Sequence, residues 1–484
     1  EKDNLIITVG DSNNLEQYFT YTTNGNLPVA SIKYTDVSNN TEITNTNSLS
    51  VGIHEIKCTI TNAKGDSVSE TMTIAVEGKA DGSWDAVAGV NTPLLMEGMV
   101  AVYWSVDGGA TASVFEEGAS PIYSKIDANG KPSSTGTVNP NFKEENWYEY
   151  VQQANFVDEK ISRWANGVTD DGSWWVWIPR YKYKITDKPG VTDTASAGIV
   201  DVKFIRVDET SGTDGYVTRK NADGEFITQD DEGYIIHPAF EDGSSNGAKA
   251  KGHSDYVEYN NGEWDSELAG FWIAKYEMSM EDGSGNAIEL VGDETISNTG
   301  DVDISNSVKA VSKANRSSWR YITARKSYTN SYYYNRANES HMTKNSEWGA
   351  IAYLAHSQYG RNGNEVSVND QNYITGYIGE VGSSTGNIYG VYDLSGGACE
   401  FVTTWDTLST SSSLTTNGNV TIYGDSYAIS GEKSTKYATA YKNGTSAESE
   451  IIAKKVARIG DAIKETYIVD NNLWFGDEIR FAVA

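Results

Sequence analysis

The first 80 residues alternate apolar and polar positions with a period of two, the pattern of strands that bury one face. The apolar positions of the two clearest stretches, HEIKCTIT and TMTIAVEG, are Ile56, Cys58 and Ile60, and Met72, Ile74 and Val76. Between them, the polar residues NAKGD at positions 62–66 have the composition of a tight turn. The pattern therefore predicts an antiparallel hairpin with one buried face.

This hairpin resembles the last strands of the immunoglobulin-like modules of bacterial surface proteins. The resemblance implies an all-β immunoglobulin-like sandwich over residues 1–78. The Gly-, Asp- and Ala-rich stretch at residues 79–90 then reaches a second domain, residues 91–484, and is predicted to be a linker. Cys58 points inward in this pattern, so we expect it to be a small buried hydrophobe.

Beyond the linker, long polar stretches separate four dense apolar islands. WWVWIPRYKYKI at 174–185 and LAGFWIAKYEMS at 268–279 predict strands. SEWGAIAYLAHS at 346–357 predicts an amphipathic helix, because its apolar residues recur at helical spacing, as in Trp348, Ile351, Ala352 and Ala355. The fourth island is IYGVYDLSGGACEFV at 388–402. Few helices, short strands and much ordered loop predict an α+β domain.

The charge of the chain changes the range of partners. A formal net charge of -29 opposes binding to nucleic acid, because a phosphate backbone requires clustered Lys and Arg. Thirty Tyr, 13 Trp and 46 Gly are typical of a β- and loop-rich extracellular protein. No apolar run reaches the about 18 residues of a membrane span, and a first residue other than Met suggests an ectodomain without its leader or anchor.

The order of the four islands resembles the formylglycine-generating enzyme family. The island at 174–185 is similar to the opening strand of that family, the one at 268–279 to its second strand motif, and HMTKNSEWGAIAYL to its helix motif. NIYGVYDLSGGACEFV is similar to its most diagnostic segment. The resemblance covers residues 172–410 and implies a C-type-lectin-like fold for the second domain.

Departures from the family motif bear on activity. Enzymes of this family oxidise a substrate cysteine with a pair of their own cysteines, which bind copper and follow the diagnostic segment. Here no cysteine follows Cys399, and the residues beside it include no Lys, Arg or His to activate its thiol. The resemblance therefore predicts a non-catalytic member without copper, in which Cys399 is a packing residue.

Glu400 stands where the family often has a carboxylate that binds structural Ca²⁺. Gly397 replaces the usual Asn, which removes one oxygen ligand. Two alternatives stay open for Glu400: a calcium ligand, or a side chain that accepts hydrogen bonds from loop amides.

The carboxy-terminal region is the predicted ligand surface. In lectin-fold proteins diversified by retroelements, which keep the scaffold motifs and lack the catalytic cysteines, this region is variable and binds the ligand. Trp474, Asp477 and Arg480 are the candidate ligand-binding residues, with a core strand as the alternative for their segment. The sequence thus predicts an adhesion or ligand-binding protein of a bacterial surface or phage particle, with a surface protein or glycan as partner. The alternatives are an oxidase of the resembled family and a structural subunit of a surface filament or phage particle.

Overall fold

The fold is described from a computed structural model. It covers residues 5–106, 110–111, 119–152, 161–187, 199–220, 226–242, 259–260, 264–290, 300–398, 401–406, 419–422, 425–428, 437, 439–441, 460 and 482–483. Positions 24, 26, 38, 51, 214, 363, 365, 367, 370–372 and 377–382 are gaps in these ranges.

The amino-terminal strands form one five-stranded sheet in the order β1-β5-β4-β2-β3. They are β1 (Leu5–Thr8), β2 (Val29–Asp36), β3 (Thr41–Ile43), β4 (Gly52–Asn62) and β5 (Ser67–Glu77). β1 pairs parallel with β5, and the other neighbours pair antiparallel. Ile56 lies opposite Met72, and both are buried. The predicted hairpin and its inward face are therefore confirmed.

The prediction of a two-sheet immunoglobulin-like sandwich is wrong for the described residues. The buried face of the single sheet is covered by Leu15, in the 3-10 helix Leu15–Tyr18, and by Leu49, which follows the 3-10 helix Thr46–Ser48. The side chains of Asn14 and Asn45 accept hydrogen bonds from backbone N–H groups two residues ahead. Asn side chains compete in this way for backbone donors, which favours short turns over a second set of strands.

A central sheet in the order β10-β8-β13-β14-β21 organises the larger unit, and β9 pairs beside β8. Its strands are β8 (Met99–Val106), β9 (Ala110–Thr111), β10 (Ser120–Tyr123), β13 (Asn166–Thr169), β14 (Trp174–Pro179) and β21 (Gly270–Ala274). All neighbours in it are antiparallel. The strands predicted for the first two islands are confirmed in β14 and β21.

The other strands form small sheets. These are β6 (Trp84–Asp85) with β7 (Val90–Asn91); β11 (Lys125–Ile126) with β12 (Thr137–Val138); β15 (Tyr181–Asp187) between β16 (Ile199–Phe204) and β19 (Ile235–Ile236); β17 (Tyr216–Lys220) with β18 (Phe226–Asp230); β22 (Ser279–Glu281) with β23 (Lys309–Val311); the series β20 (Tyr259–Asn260), β28 (Thr439–Tyr441), β25 (Thr404–Asp406), β26 (Asn419–Ile422) and β27 (Asp425–Ala428); and β24 (Phe401–Val402) with β29 (Ala482–Val483).

Two α-helices are present in the described part of the chain, α1 (Ala324–Tyr334) and α2 (Asn345–His356). Further 3-10 helices occur at Glu144–Asn146 and Pro238–Phe240. The predicted helix is confirmed in α2, but its predicted amphipathic character is wrong, because all of its residues are buried. Neither helix is long and apolar enough to cross a membrane.

The main core lies between one face of β14, the β15 sheet and α2. Its members include Val176, Ile178, Tyr181, Tyr183, Val200, Val202, Trp348, Ile351, Tyr353 and Leu354. Large rings fill much of this space, and the Tyr181 hydroxyl donates to the Ala350 carbonyl oxygen at 2.7 Å. Such a bond satisfies the polar tip of a buried tyrosine. The core therefore joins strands and a helix that are far apart in sequence.

The predicted α+β fold class is wrong, because the regular elements of the described residues are mostly strands in several small sheets, with only two α-helices. The islands are short and rich in Val, Ile, Trp and Tyr, residues that fit a pleated surface. Gly, Asn and Asp interrupt the chain between them and favour turns over longer helices. The helix-forming composition is concentrated at residues 346–357.

Candidate functional site

The residues predicted to bind a ligand or a metal lie outside the described residues. They are Glu400, Trp474, Asp477 and Arg480. For these residues, the roles predicted from the sequence and the alternatives to them therefore stay predictions. The packing role of Cys399 also stays a prediction. Within the described part of the chain, no group of three or more His, Cys, Asp or Glu side chains could hold a metal ion.

A cleft of about 800 Å³ lies beside the central sheet. Its walls come from β14 and β21, from α1, from the start of α2 and from the loops between them. Eight Phe, Trp and Tyr residues with accessible surface line it: Trp175, Phe271, Trp272, Trp319, Tyr321, Tyr334, Tyr373 and Phe401. Pockets for small ligands usually enclose about 300–1,000 Å³ and are largely apolar, so this cleft is the candidate binding site.

The period of two in β14 explains why tryptophans face the cleft. Val176 and Ile178 lie in the main core. Trp175 and Trp177, which alternate with them, therefore point to the opposite face of the sheet. Trp177 is buried directly opposite Trp272 of β21, with ring centroids 5.4 Å apart. Contact with the buried Trp177 ring supports the partly exposed ring of Trp272.

Another wall of the cleft is the segment at residues 317–322. The backbone N–H of Trp319 donates to the Met278 carbonyl oxygen at 2.7 Å, and that of Ser318 donates to the Tyr373 carbonyl oxygen at 2.9 Å. Gly300 packs so closely that a Cβ atom there would overlap the carbonyl oxygen of Arg320. Only glycine allows that approach. Three separate parts of the chain thus fix this wall.

Four indole N–H groups around the cleft are already engaged. Those of Trp175, Trp264, Trp272 and Trp319 donate to Thr169 Oγ1, Ala239 O, Leu94 O and Gly300 O at 3.1, 3.2, 2.6 and 2.8 Å. These bonds orient the rings before any ligand binds, which lowers the entropic cost of binding. Hydrogen bonds to a ligand must therefore come from groups other than these four.

The buried carboxylate of Glu347 lies at the end of the cleft formed by α2. Its oxygens lie 3.1 Å from His341 Nε2, and one accepts the Lys344 backbone N–H at 2.9 Å. Burial alone raises the pKa of Glu347, but the neighbouring His341 and Lys344 outweigh this and lower its pKa overall. Glu347 is therefore an ionised, fully engaged group.

Aromatic rings enclose Lys344 and His341 next to Glu347. The Lys344 Nζ atom lies 3.6 Å from the Trp264 ring centroid. The His341 ring stacks on Tyr437, with centroids 5.0 Å apart and an interplanar angle of 28°. A cation–π contact such as that of Lys344 stabilises charge where water is scarce. Together with Glu347, these side chains close this end of the cleft.

Asp393 belongs to the fourth island and is buried behind the cleft residue Tyr392. Its carboxylate accepts hydrogen bonds from the Gly376 backbone N–H at 2.8 Å and from Asn369 Nδ2 at 2.7 Å. Burial nevertheless raises the pKa of Asp393 to about 6. Between about pH 4 and pH 6, the Asp393 carboxyl is therefore protonated in the native protein and ionised in the unfolded chain.

The stability that Asp393 contributes is expected to fall as pH rises through about 6. The native state binds more protons than the unfolded state in this window, so a pKa raised by about two units corresponds to roughly 3 kcal/mol lost. Urea unfolding of wild type and Asp393→Asn at pH 4 and pH 7 checks this. Raising the pH from 4 to 7 should lower the unfolding free energy of wild type by that amount relative to the unfolding free energy of Asp393→Asn. An unchanged difference would contradict the raised pKa.

Sequence analysis identified none of the residues with accessible surface in the cleft as binding residues. They come from positions spread over residues 94–401, so no single stretch contains the site. One local signal was present: the triplet Trp319, Arg320 and Tyr321 places an arginine between two aromatic residues in a polar stretch. Arginine and aromatic residues are enriched where proteins bind partners.

Comparison with known proteins assigns no family to the chain. No protein-family model matches it, and no curated protein matches it at a significant level. The resemblance to the formylglycine-generating enzyme family therefore stays a prediction. Among solved structures, the chain is similar to SGBP-B of the Bacteroides ovatus mixed-linkage glucan utilization locus, in complex with a mixed-linkage heptasaccharide, at 12% identity. That similarity covers 60% of this chain and 84% of the other, with a TM-score of 0.13, which is too low to support an argument about fold or function.

Proposed function

We propose that this protein is an extracellular ligand-binding protein and that its cleft binds a glycan. The observation that carries the proposal is the set of oriented, partly exposed tryptophan rings in one concave site. A composition rich in Tyr, Trp, Gly, Ser and Asn supports an extracellular location, and a net charge of -29 opposes nucleic acid as the ligand.

Sugar rings match such a site chemically. The C–H groups on one face of a pyranose carry partial positive charge, and the face of an aromatic ring carries partial negative charge. Sugar hydroxyls also need donors and acceptors, and the polar residues Asn335, Asn338 and Glu339 line the same cleft. A concave site with a few polar groups favours a chain of sugars over a broad, flat protein surface.

A binding role is favoured over catalysis by the sequence. The cysteine pair of the resembled enzymes has no counterpart after Cys399. The carboxylate of Glu347 is committed to His341 and to a backbone N–H. We therefore propose a non-catalytic protein, and the proposal does not depend on Trp474, Asp477 or Arg480.

Removing a ring from the cleft should weaken glycan binding. A glycan array identifies the ligand, and calorimetry then compares wild type with Trp319→Ala and Trp272→Ala. Loss of one stacking ring is expected to reduce affinity about tenfold or more, which corresponds to about 1.4 kcal/mol. Trp319→Phe keeps a ring and should retain more affinity than Trp319→Ala.

A matched control is Tyr21→Ala, which removes an exposed ring from the amino-terminal part of the chain. This variant should bind like wild type. Circular dichroism melting of every variant separates lost binding from lost folding. Binding of a protein ligand with no glycan binding, or glycan binding unaffected by both tryptophan variants, would reject the proposal.

A further inference from the structure

Arg320 presents a positive charge on the wall of the cleft. Its guanidinium carbon lies 4.0 Å from the ring centroid of Tyr373 and 5.2 Å from that of Tyr321. One terminal nitrogen, Nη2, donates to the Leu290 carbonyl oxygen at 2.8 Å. Two rings and one hydrogen bond therefore fix the guanidinium in place.

No carboxylate neutralises Arg320 within the described residues. Its Nε atom is enclosed and has no hydrogen-bond partner there, and Nη1 makes no hydrogen bond there. Arg316 and Arg180 differ, since Arg316 pairs with Glu281 at 3.2 Å and Arg180 pairs with Glu267 at 2.8 Å. Arg336 instead donates to the Tyr332 and Ser340 carbonyl oxygens. In a chain with 67 acidic and 38 basic residues, an arginine without an acidic partner is unexpected.

Two carboxylates that line the cleft are engaged elsewhere. Glu277 accepts hydrogen bonds from the Ser318 hydroxyl and from the Ala398 backbone N–H, the latter at 2.8 Å. Glu347, at the other end, is paired with His341. Among the described residues, therefore, no ion pair with a carboxylate occupies the guanidinium of Arg320, which faces the cleft.

The rings that flank Arg320 occupy strained backbone positions. Tyr321 has a φ of 56° and Tyr373 a φ of 65°, in the left-handed region that bulky residues rarely adopt. A residue in this conformation is strained and persists only when its surroundings enforce it. Both strained residues contact the guanidinium of Arg320, which connects their strain with the positioning of that group.

We infer that the cleft selects acidic glycans, in which a sugar carboxylate pairs with the guanidinium of Arg320. This inference rests on the proposed glycan binding. Guanidinium and carboxylate groups match in a planar, two-bond geometry, and hydrogen bonds between charged groups are stronger than neutral ones. The net charge of -29 repels anions at long range. At physiological ionic strength this repulsion is screened over about 8 Å, so the attraction of the carboxylate to Arg320 outweighs it inside the cleft.

The test compares each acidic glycan with its own methyl ester, which has the same backbone and no charge. The probes are oligogalacturonate and hyaluronan oligosaccharides, each measured by calorimetry as the free acid and as the ester. Wild type is expected to bind at least one free acid about 10–100-fold more tightly than its ester, the range of one charged hydrogen-bonded pair. In Arg320→Gln this ratio should fall to about one, and Arg320→Lys should keep part of it.

Arg206→Gln is the matched control, because Arg206 is exposed and pairs with Asp208 away from the cleft residues. It should keep the wild-type ratio. Equal affinity of wild type for acid and ester, or a ratio that survives Arg320→Gln, overturns this inference while glycan binding itself stands. Neutral glycans bound on the array with no binding of either acid also overturn it. Absence of binding to every glycan overturns both the inference and the proposed function.

Discussion

Replacing Lys275 by Met is expected to lower the free energy of unfolding of the larger unit by about 3–5 kcal/mol. Lys275 follows β21 and is fully buried. Its Nζ atom donates to Asn166 Oδ1 at 2.6 Å, to the Gly390 carbonyl oxygen at 3.1 Å and to the Ile388 carbonyl oxygen. The lysine thereby joins the central sheet to the fourth island.

The expected loss of stability comes from acceptor oxygens that lose a hydrogen bond, and not from the loss of the lysine charge. Burial lowers the pKa of Lys275 well below its ordinary value, so the charged form is itself costly. Met fills a similar volume but leaves the Ile388 and Gly390 carbonyl oxygens without this donor, while Asn166 Oδ1 keeps only the long bond from the Trp104 indole at 3.5 Å. Each buried unsatisfied group costs about 1–3 kcal/mol.

Urea denaturation measures this effect, with Lys309→Met as the control, because Lys309 is exposed. The control should unfold like wild type. An unfolding midpoint of Lys275→Met equal to that of wild type would show that the lysine does not join these segments.

Trp348→Ala is expected to lower the free energy of unfolding by a similar amount, about 3–5 kcal/mol. Trp348 lies in α2, is 4% exposed and belongs to the main core. Truncation removes the burial of a large ring and leaves a cavity that the surrounding strands cannot fill.

Trp272→Ala is the matched comparison for Trp348→Ala. Trp272 is partly exposed in the cleft, so its truncation should cost less stability and mainly affect binding. Thermal and urea unfolding of both variants check this. Equal destabilisation by the two substitutions would mean that the core and the cleft wall have been wrongly distinguished.

Local patterns in the sequence predicted individual elements well. The alternation around Ile56 and Met72 identified a real hairpin, and the apolar runs at 174–185 and 268–279 identified real strands. Helical spacing identified α2. These predictions succeeded because periodicity and residue preference act over a few neighbouring positions.

Features that depend on distant contacts were not predictable in the same way. The spacing of apolar residues predicted one buried face for α2. The burial of its other face depends on strands far upstream in the sequence. The second layer over the amino-terminal sheet comes from short capped turns such as the one after Asn14, which give no strand pattern. The cleft, likewise, joins β14, β21 and the segment at residues 317–322, whose proximity no local pattern encodes.

The complete burial of α2 has a consequence for how the chain folds. A 12-residue helix is marginal by itself in water, and α2 gains its packing partners only when Tyr181, 169 residues away from Ala350, reaches it. Closing so long a loop is an entropic cost that precedes the favourable contacts. Chains dominated by such distant contacts fold slowly, so we expect α2 and the strands around it to assemble together in a late, cooperative step.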